Sequence, residues 1–191
     1  MSARPAAEQE VGRIALPGGR VLEVVIGDLL SQPVDAIVNA ANGRLAHGGG
    51  VAAVIARAAG PDLEREGERI VAERGPIATG DAVATTAGRL PFAGVVHAVG
   101  PQLGEGDEES KLVAALVSAC DRASERGWTS LAFPAVSSGI FAVPLEVCAR
   151  AYVRAVREFA AARPDSSLRR LRLVLVRGPL VDLVRSELGD A

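Results

Sequence analysis

The sequence predicts an α/β fold, a three-layer α/β/α sandwich around a central mixed sheet. Three observations predict it. Apolar strand-like runs alternate with amphipathic helical stretches after an opening hairpin. The run 34–38 carries β-branched residues and is apolar on both faces apart from Asp35, as a strand buried within a sheet would be. The chain has 191 residues, 49% of them apolar, with no internal repeat, which suits a single core.

Residues 1–10 are small and polar and are expected to form a disordered tail, leaving 11–191 as one domain. Strands over 12–16 and 21–26 flank Pro17-Gly18-Gly19-Arg20, a hairpin signal. Gly27-Asp28 ends the second strand, and 29–32 is a short turn stopped by Pro33. A strand over 34–39 leads through a polar loop and a glycine triplet into a helix over 51–59. Val51, Ile55 and Ala58-Ala59 recur there at helical spacing. Pro61 opens a charged helix over 62–73, broken by Gly75-Pro76. Strands over 81–86 and 94–99 follow. Residues 108–126 place Leu112, Ala115, Leu116, Ala119 and Ala123 on one helical face, with Gly127 as the stop. A short strand over 130–133 and a loop over 134–143 precede a helix that Pro144 starts. That helix carries Leu145, Cys148, Tyr152, Ala155, Val156 and Phe159 on one face. A strand over 171–176 and a helix over 179–188 complete the chain.

Composition narrows the function. A formal net charge of −2 argues against a dedicated nucleic-acid binder. Cys120 and Cys148 lie far apart in predicted helices with no C-x-x-C pair, so both are expected to be small buried hydrophobes. The first ten residues hold no apolar leader, and no run reaches the ~18 apolar residues of a membrane span. A cytoplasmic monomer is the expectation.

Ligands of open α/β sheets sit beyond the carboxyl ends of the strands. Three polar or glycine-rich segments fall there: 27–28, 39–51 and 135–141. Gly48, Gly49 and Gly50 let a ligand approach the backbone closely. Because they feed a helix N-terminus, they also present unpaired N–H groups to an anion such as phosphate. Ser137, Ser138, Gly139, Ile140 and Phe141 form a second candidate anion loop. There is no G-x-x-x-x-G-K-[ST], and no G-x-G-x-x-G opens a βαβ unit. Asp28 can accept from an exocyclic amine or cap the 29–32 turn. Asn42 can donate to and accept from a diol, or shape its own loop as an Asx turn. Asn39 is expected to be structural, its amide satisfied by backbone. His97 is expected to be structural and His47 to sit near the rim. Neither histidine has a partner at metal-ligand spacing, and no metal or cofactor is expected. Ala135-Val136-Ser137-Ser138-Gly139 is a loose nucleophile elbow. Both histidines precede Ser137, however, and Pro144 delays the following helix, so a serine hydrolase is set aside.

Five blocks carry a resemblance: G-D-L (27–29), V-D-A-I-V-N-A-A-N (34–42), H-G-G-G-V-A (47–52), H-A-V-G-P (97–101) and F-P-A-V-S-S-G-I-F (133–141). In order and spacing they resemble the macrodomain family, from about residue 21 to the C-terminus. The resemblance implies a macrodomain over 11–191 that binds ADP-ribose. It gives Asp28, with Leu29 beside it, the adenine amino group. It gives Gly48, Gly49, Gly50 and Val51, with 137–141, the diphosphate. It places Asn42 on the distal ribose, next to the bond that hydrolytic members cut, and Phe141 over that ribose.

In MacroD-like hydrolases an aspartate follows G-G-G-V. Here Ala52 stands there, and alanine is no general base. The H-G-G-G-V-A form resembles another branch, whose archaeal members bind ADP-ribose tightly. The expectation is therefore a domain that binds free or protein-linked mono-ADP-ribose. The alternative is an ADP-ribosyl hydrolase acting on modified Asp or Glu, on ADP-ribose 1″-phosphate or on O-acetyl-ADP-ribose. In that case Asn42 is the catalytic residue, holding a water that a substrate phosphate activates.

Overall fold

A computed structural model describes residues 8–189. Seven strands form one sheet: β1 (Gln9–Leu16), β2 (Arg20–Ile26), β3 (Ala36–Ala41), β4 (Ala82–Thr85), β5 (Gly94–Val99), β6 (Ser130–Phe133) and β7 (Arg170–Leu175). Their order is β1-β2-β7-β6-β3-β5-β4. The five inner strands run parallel, and β1 and β4 close the two edges antiparallel. This is the mixed sheet the sequence predicts. The helices are α1 (Gly50–Ala59), α2 (Pro61–Arg74), α3 (Glu108–Glu125), α4 (Leu145–Ala162) and α5 (Pro179–Leu188).

Strand alternation sorts the side chains into two layers. Leu22, Val24, Ala36, Val38, Leu131, Phe133, Leu171 and Leu173 pack with α3, α4 and α5. Val25, Ile37, Val95, Ala132 and Val174 pack on the other face with α1 and α2, through Ile55, Ala59 and Leu63. Each fully buried Leu, Ile or Val contributes on the order of 1.5–3 kcal/mol. Parallel strands flanked by helices on both faces bring the exits of β2, β7, β6, β3 and β5 to one edge of the sheet, and the candidate loops gather there.

Some boundaries differ from expectation for identifiable reasons. The tail expected over 1–10 does not hold at 9–10, because Gln9 and Glu10 pair with Ile26 and Val25; residues 1–7 lie outside the described residues. β3 starts at Ala36 because Asp35 is spent on tying strand entries together. Its carboxylate accepts from the Thr129 N–H (2.7 Å), the Thr129 hydroxyl (2.8 Å) and the Ser130 N–H (3.1 Å). Burial pushes the Asp35 carboxyl up, but these bonds win and hold it below its ordinary value. On the β2–β7 pair, Glu23 and Arg172 face each other in register, both buried, with Arg172 Nε donating to Glu23 Oε2 at 2.8 Å. Arg172 Nη2 also donates to Glu8 at 2.7 Å and Arg13 Nη2 to Glu23 at 2.5 Å, so both Glu23 and Arg172 are paired.

Candidate functional site

β3 ends at Ala41, and the chain loops back through 42–49 to enter α1. Asn42 closes this loop on itself. Its Oδ1 accepts from the N–H groups of Arg44 and Ala46, both at 3.1 Å, and its Nδ2 donates to Ala46 O at 2.9 Å. The Asx role is what this side chain performs here. Both lone pairs of its carbonyl oxygen are engaged, and one Nδ2–H has no partner among the described residues.

The loop delivers the start of α1 without a cap. Gly49 is the N-cap residue and has no side chain to bond the helix, and Ala53 N–H returns to Gly49 O at 3.3 Å. Among the described residues, the N–H groups of Gly48, Gly49, Gly50 and Val51 meet no acceptor. They point from the positive end of the helix dipole. Gly50 has φ +58°, in the left-handed region that a Cβ disfavours. Ala52 is buried just behind them.

The second loop leaves β6 at Phe133 and is held from below by α4. Tyr152 donates its hydroxyl to Val136 O at 2.6 Å, and Val143 N–H donates to Ser137 O at 3.1 Å. Ser137 adopts φ +66°, and its hydroxyl is buried against Gly100 without a partner among the described residues. Its side chain therefore faces inward and not toward a ligand. Ser138 spends its hydroxyl on Ala135 O at 2.8 Å. The N–H groups of Gly139, Ile140 and Phe141 meet no acceptor among the described residues. Main chain, not serine hydroxyls, is what this loop offers. Phe141 is half-buried, and its carbonyl accepts from Leu103 N–H at 2.8 Å, which ties in the loop after β5. Ile140 is 77% exposed and lies against the glycine loop: a Cβ on Gly49 would stand 3.2 Å from its Cδ1. The two N–H-bearing loops thus face each other across one side chain.

Asp28 lies at the exit of β2. It caps the turn Leu29–Ser31, accepting from Leu30 N–H at 3.0 Å and from the Ser31 hydroxyl at 2.8 Å. The capping role is thus filled, and the exposed carboxylate keeps capacity for further donors. Leu29 beside it is buried and anchors the turn in the α1–α2 layer. The neighbouring strand exit adds a residue that no sequence signal marks. Val176 was expected to end a strand over 171–176; β7 ends at Leu175, and Val176 is 80% exposed. Gly27 N–H bonds Leu175 O at 3.1 Å, so the register carries Val176 out beside Gly27, one residue before Asp28. Three strand spacings separate the exits of β2 and β3, about 14 Å at ~4.8 Å each.

Two expectations for polar side chains are corrected. Asn39 is not satisfied by backbone: its Nδ2 lies 3.0 Å from His97 Nδ1, and its Oδ1 has no partner among the described residues. His47 is not a rim residue: its side chain is 5% exposed, and its ring packs edge-on against His97 with centroids 5.8 Å apart. His97 is structural as expected, and fully buried. Burial, with His47 beside it, pushes its pKa down to about 3.

A separate cavity of about 450 Å³ is lined by Leu30, Pro33, Val34, Asp35, Phe92 and Ser130. It lies at the entries of β3, β5 and β6, the opposite edge from the two loops, and the Asp35 carboxylate there is already bonded. Among the described residues, no three His, Cys, Asp or Glu side chains converge on a metal site, and no helix is long and apolar enough to cross a membrane.

The macro domain family pattern matches residues 38–152, and the chain belongs to that family. It is 43% identical over 157 residues to a protein of Thermotoga maritima, covering 81% of this chain and 26% of that one, so it spans about a quarter of that relative's length. The Oceanobacillus iheyensis macrodomain, solved with ADP, is similar at a TM-score of 0.84 and 25% identity, over 95% of each chain. The Trypanosoma brucei macrodomain in complex with ADP-ribose is similar at a TM-score of 0.77 and 30% identity, over 88% of this chain and 69% of that one.

Proposed function

We propose that this chain binds ADP-ribose, free or as mono-ADP-ribose linked to a protein, in the cleft along the exits of β2, β7, β6 and β3. One observation carries the reading. Two loops with unpaired N–H groups, 48–51 and 139–141, face each other with Ile140 against Gly49 between them. A diphosphate needs several donors converging on one spot, and main-chain N–H groups supply them without a cationic side chain. Asp28 and Val176 then stand where an adenine would reach, the carboxylate accepting from its amine and the exposed valine covering its face. The ~14 Å between the two strand exits suits an extended dinucleotide-like ligand. The distal ribose falls at Phe141 and the remaining Nδ2–H of Asn42. Macrodomain relatives solved with ADP and with ADP-ribose support the ligand class.

Binding, without hydrolysis, is the reading the residues favour. Ala52 offers no carboxylate to orient water, and the Asn42 carbonyl oxygen is already saturated by its own loop. The H-G-G-G-V-A form, with alanine at 52, supports assigning the chain to the tight-binding branch. Calorimetric titration with ADP-ribose tests the reading, and saturable binding at one site per chain is expected. A time course of ADP-ribose release from a glutamate-modified protein tests the rest. The wild type should release none, and release that Asn42→Ala abolishes would reassign the domain as a hydrolase.

A further inference from the structure

Beneath the glycine loop stands a column of buried polar side chains that diphosphate binding by main chain does not use. At its base, His97 Nδ1 lies 3.0 Å from the Asn39 amide nitrogen and Nε2 lies 2.9 Å from the Thr85 hydroxyl. An amide nitrogen only donates, so Nδ1 accepts and Nε2 carries the proton, donating to Thr85. The Thr85 hydroxyl donates in turn to Thr86 O at 3.0 Å. Every hydrogen-bonding position of His97 is thereby committed, and the ring is neutral.

His47 sits above it and is not committed. Its ring meets His97 at 70°, its Nδ1 is 4.0 Å from Glu64 Oε1 of α2, and its buried Nε2 has no partner among the described residues. It is also joined directly to Gly48, whose N–H group opens the candidate anion site. The groups around it are few. Glu64 approaches from α2, neutral His97 from β5 with Asn39 of β3 and Thr85 of β4 behind it, and Arg44 on the same loop is exposed.

We propose that His47 is a positioning residue that couples anion binding on the glycine loop to the uptake of one proton. The inference rests on the ADP-ribose reading above. In the free protein, burial keeps the His47 imidazole below its ordinary value, against the pull of Glu64, so it is neutral at pH 7. A diphosphate settling on the N–H groups from Gly48 to Val51 adds a second anionic neighbour to Glu64. Both then favour the imidazolium. The balance is simple: one proton passes from solvent to His47, no bond of the ligand changes, and the ring carries N–H groups at Nδ1, toward Glu64, and at Nε2, which has no partner among the described residues.

The test is calorimetry of ADP-ribose binding at pH 7 in Bis-Tris and in Tris, amine buffers whose ionisation enthalpies differ and whose cations do not compete for an anion site. The expected result is an observed enthalpy that shifts between buffers in the sense of proton uptake, with affinity about tenfold higher at pH 6 than at pH 8. His47→Asn should bind with no buffer dependence and a flat pH profile. Glu64→Gln alters only an exposed carboxylate, leaves the fold intact and should reduce the uptake. Equal enthalpies in both buffers for the wild type, or uptake that persists in His47→Asn, would overturn the proposal while leaving ADP-ribose binding in place. Failure of the wild type to bind ADP-ribose at any pH would overturn the functional reading and this proposal with it.

Discussion

Ile140, on the loop after β6, rests its Cδ1 against Gly49, on the loop after β3, so closely that a Cβ on that glycine would lie 3.2 Å away. The contact joins the two segments whose N–H groups are unpaired. A side chain at position 49 would press on the end of Ile140 and enter the space between the two loops, where the ligand is proposed to sit.

Gly49→Glu should therefore abolish ADP-ribose binding. The added carboxylate meets Ile140 and sets a negative charge where two phosphates would sit. Gly49 itself has an extended backbone, φ 179°, which any residue can adopt, so the substitution costs little in folding. Calorimetric titration beside a thermal melt checks this. Retained affinity in a folded variant would remove the loop from the site.

Asp28 can be divided into its two roles. Asp28→Ala removes the cap on Leu30 N–H and the acceptor offered to an adenine amine. It should cost about 1 kcal/mol of stability and about 1.5–3 kcal/mol of affinity. Asp28→Asn still caps but loses the charge, so it should keep its melting temperature and lose affinity. If both variants bind ADP-ribose as the wild type does, Asp28 is a cap and nothing more.

How much of this was legible in the sequence follows from what is local. Alternating β-branched runs, helical stripes and the prolines and glycines between them located every strand and helix, because each signal lies within a few residues. The two loops were legible as glycine-rich segments after strands. What the side chains in them do was not. Asn42 turns its amide onto Ala46, and that turn aims His47 inward, an outcome that no spacing encodes. Asn39 meets His97 because β3 and β5 pair in that register, and register is set by the packed sheet. Val176 became exposed only because β7 stops one residue early. Ser137 was legible as part of the second loop, whereas the positive φ that sends its hydroxyl inward toward Gly100 was not.

Tyr152 should prove a support for the second loop. Its hydroxyl bonds Val136 O inside the α4 layer, and Tyr152→Phe leaves that buried carbonyl without its donor. The expected cost is about 1–3 kcal/mol in urea unfolding, together with weaker ADP-ribose binding as 139–141 loosens. An unchanged unfolding midpoint would show that the Cys148 thiol, 3.9 Å from the same carbonyl, suffices.

The His97 column predicts the acid response of the fold. In the folded chain the ring titrates at about 3, pushed down by burial and by His47, whereas in the unfolded chain it titrates near its ordinary ~6.5. Between those values the unfolded state holds more protons, so stability rises with pH across that window and is complete above about 6.5. As pH falls from ~6.5 toward 3 the contribution is lost, at up to about 1.4 kcal/mol per pH unit. His47 is shifted the same way by burial and steepens the upper part. The carboxylates held low by hydrogen bonds, such as Asp35 and Glu23, lose their contribution only as pH nears their own ordinary values, so the imidazoles dominate the upper part of the window, above about pH 5.5. Urea unfolding at pH 7, 6 and 5 should show a falling midpoint in the wild type. His97→Gln should start less stable and show a flatter profile. A wild-type midpoint constant over that range would mean that His97 is protonated in the fold and that the Asn39–His97–Thr85 column is arranged differently from the geometry described.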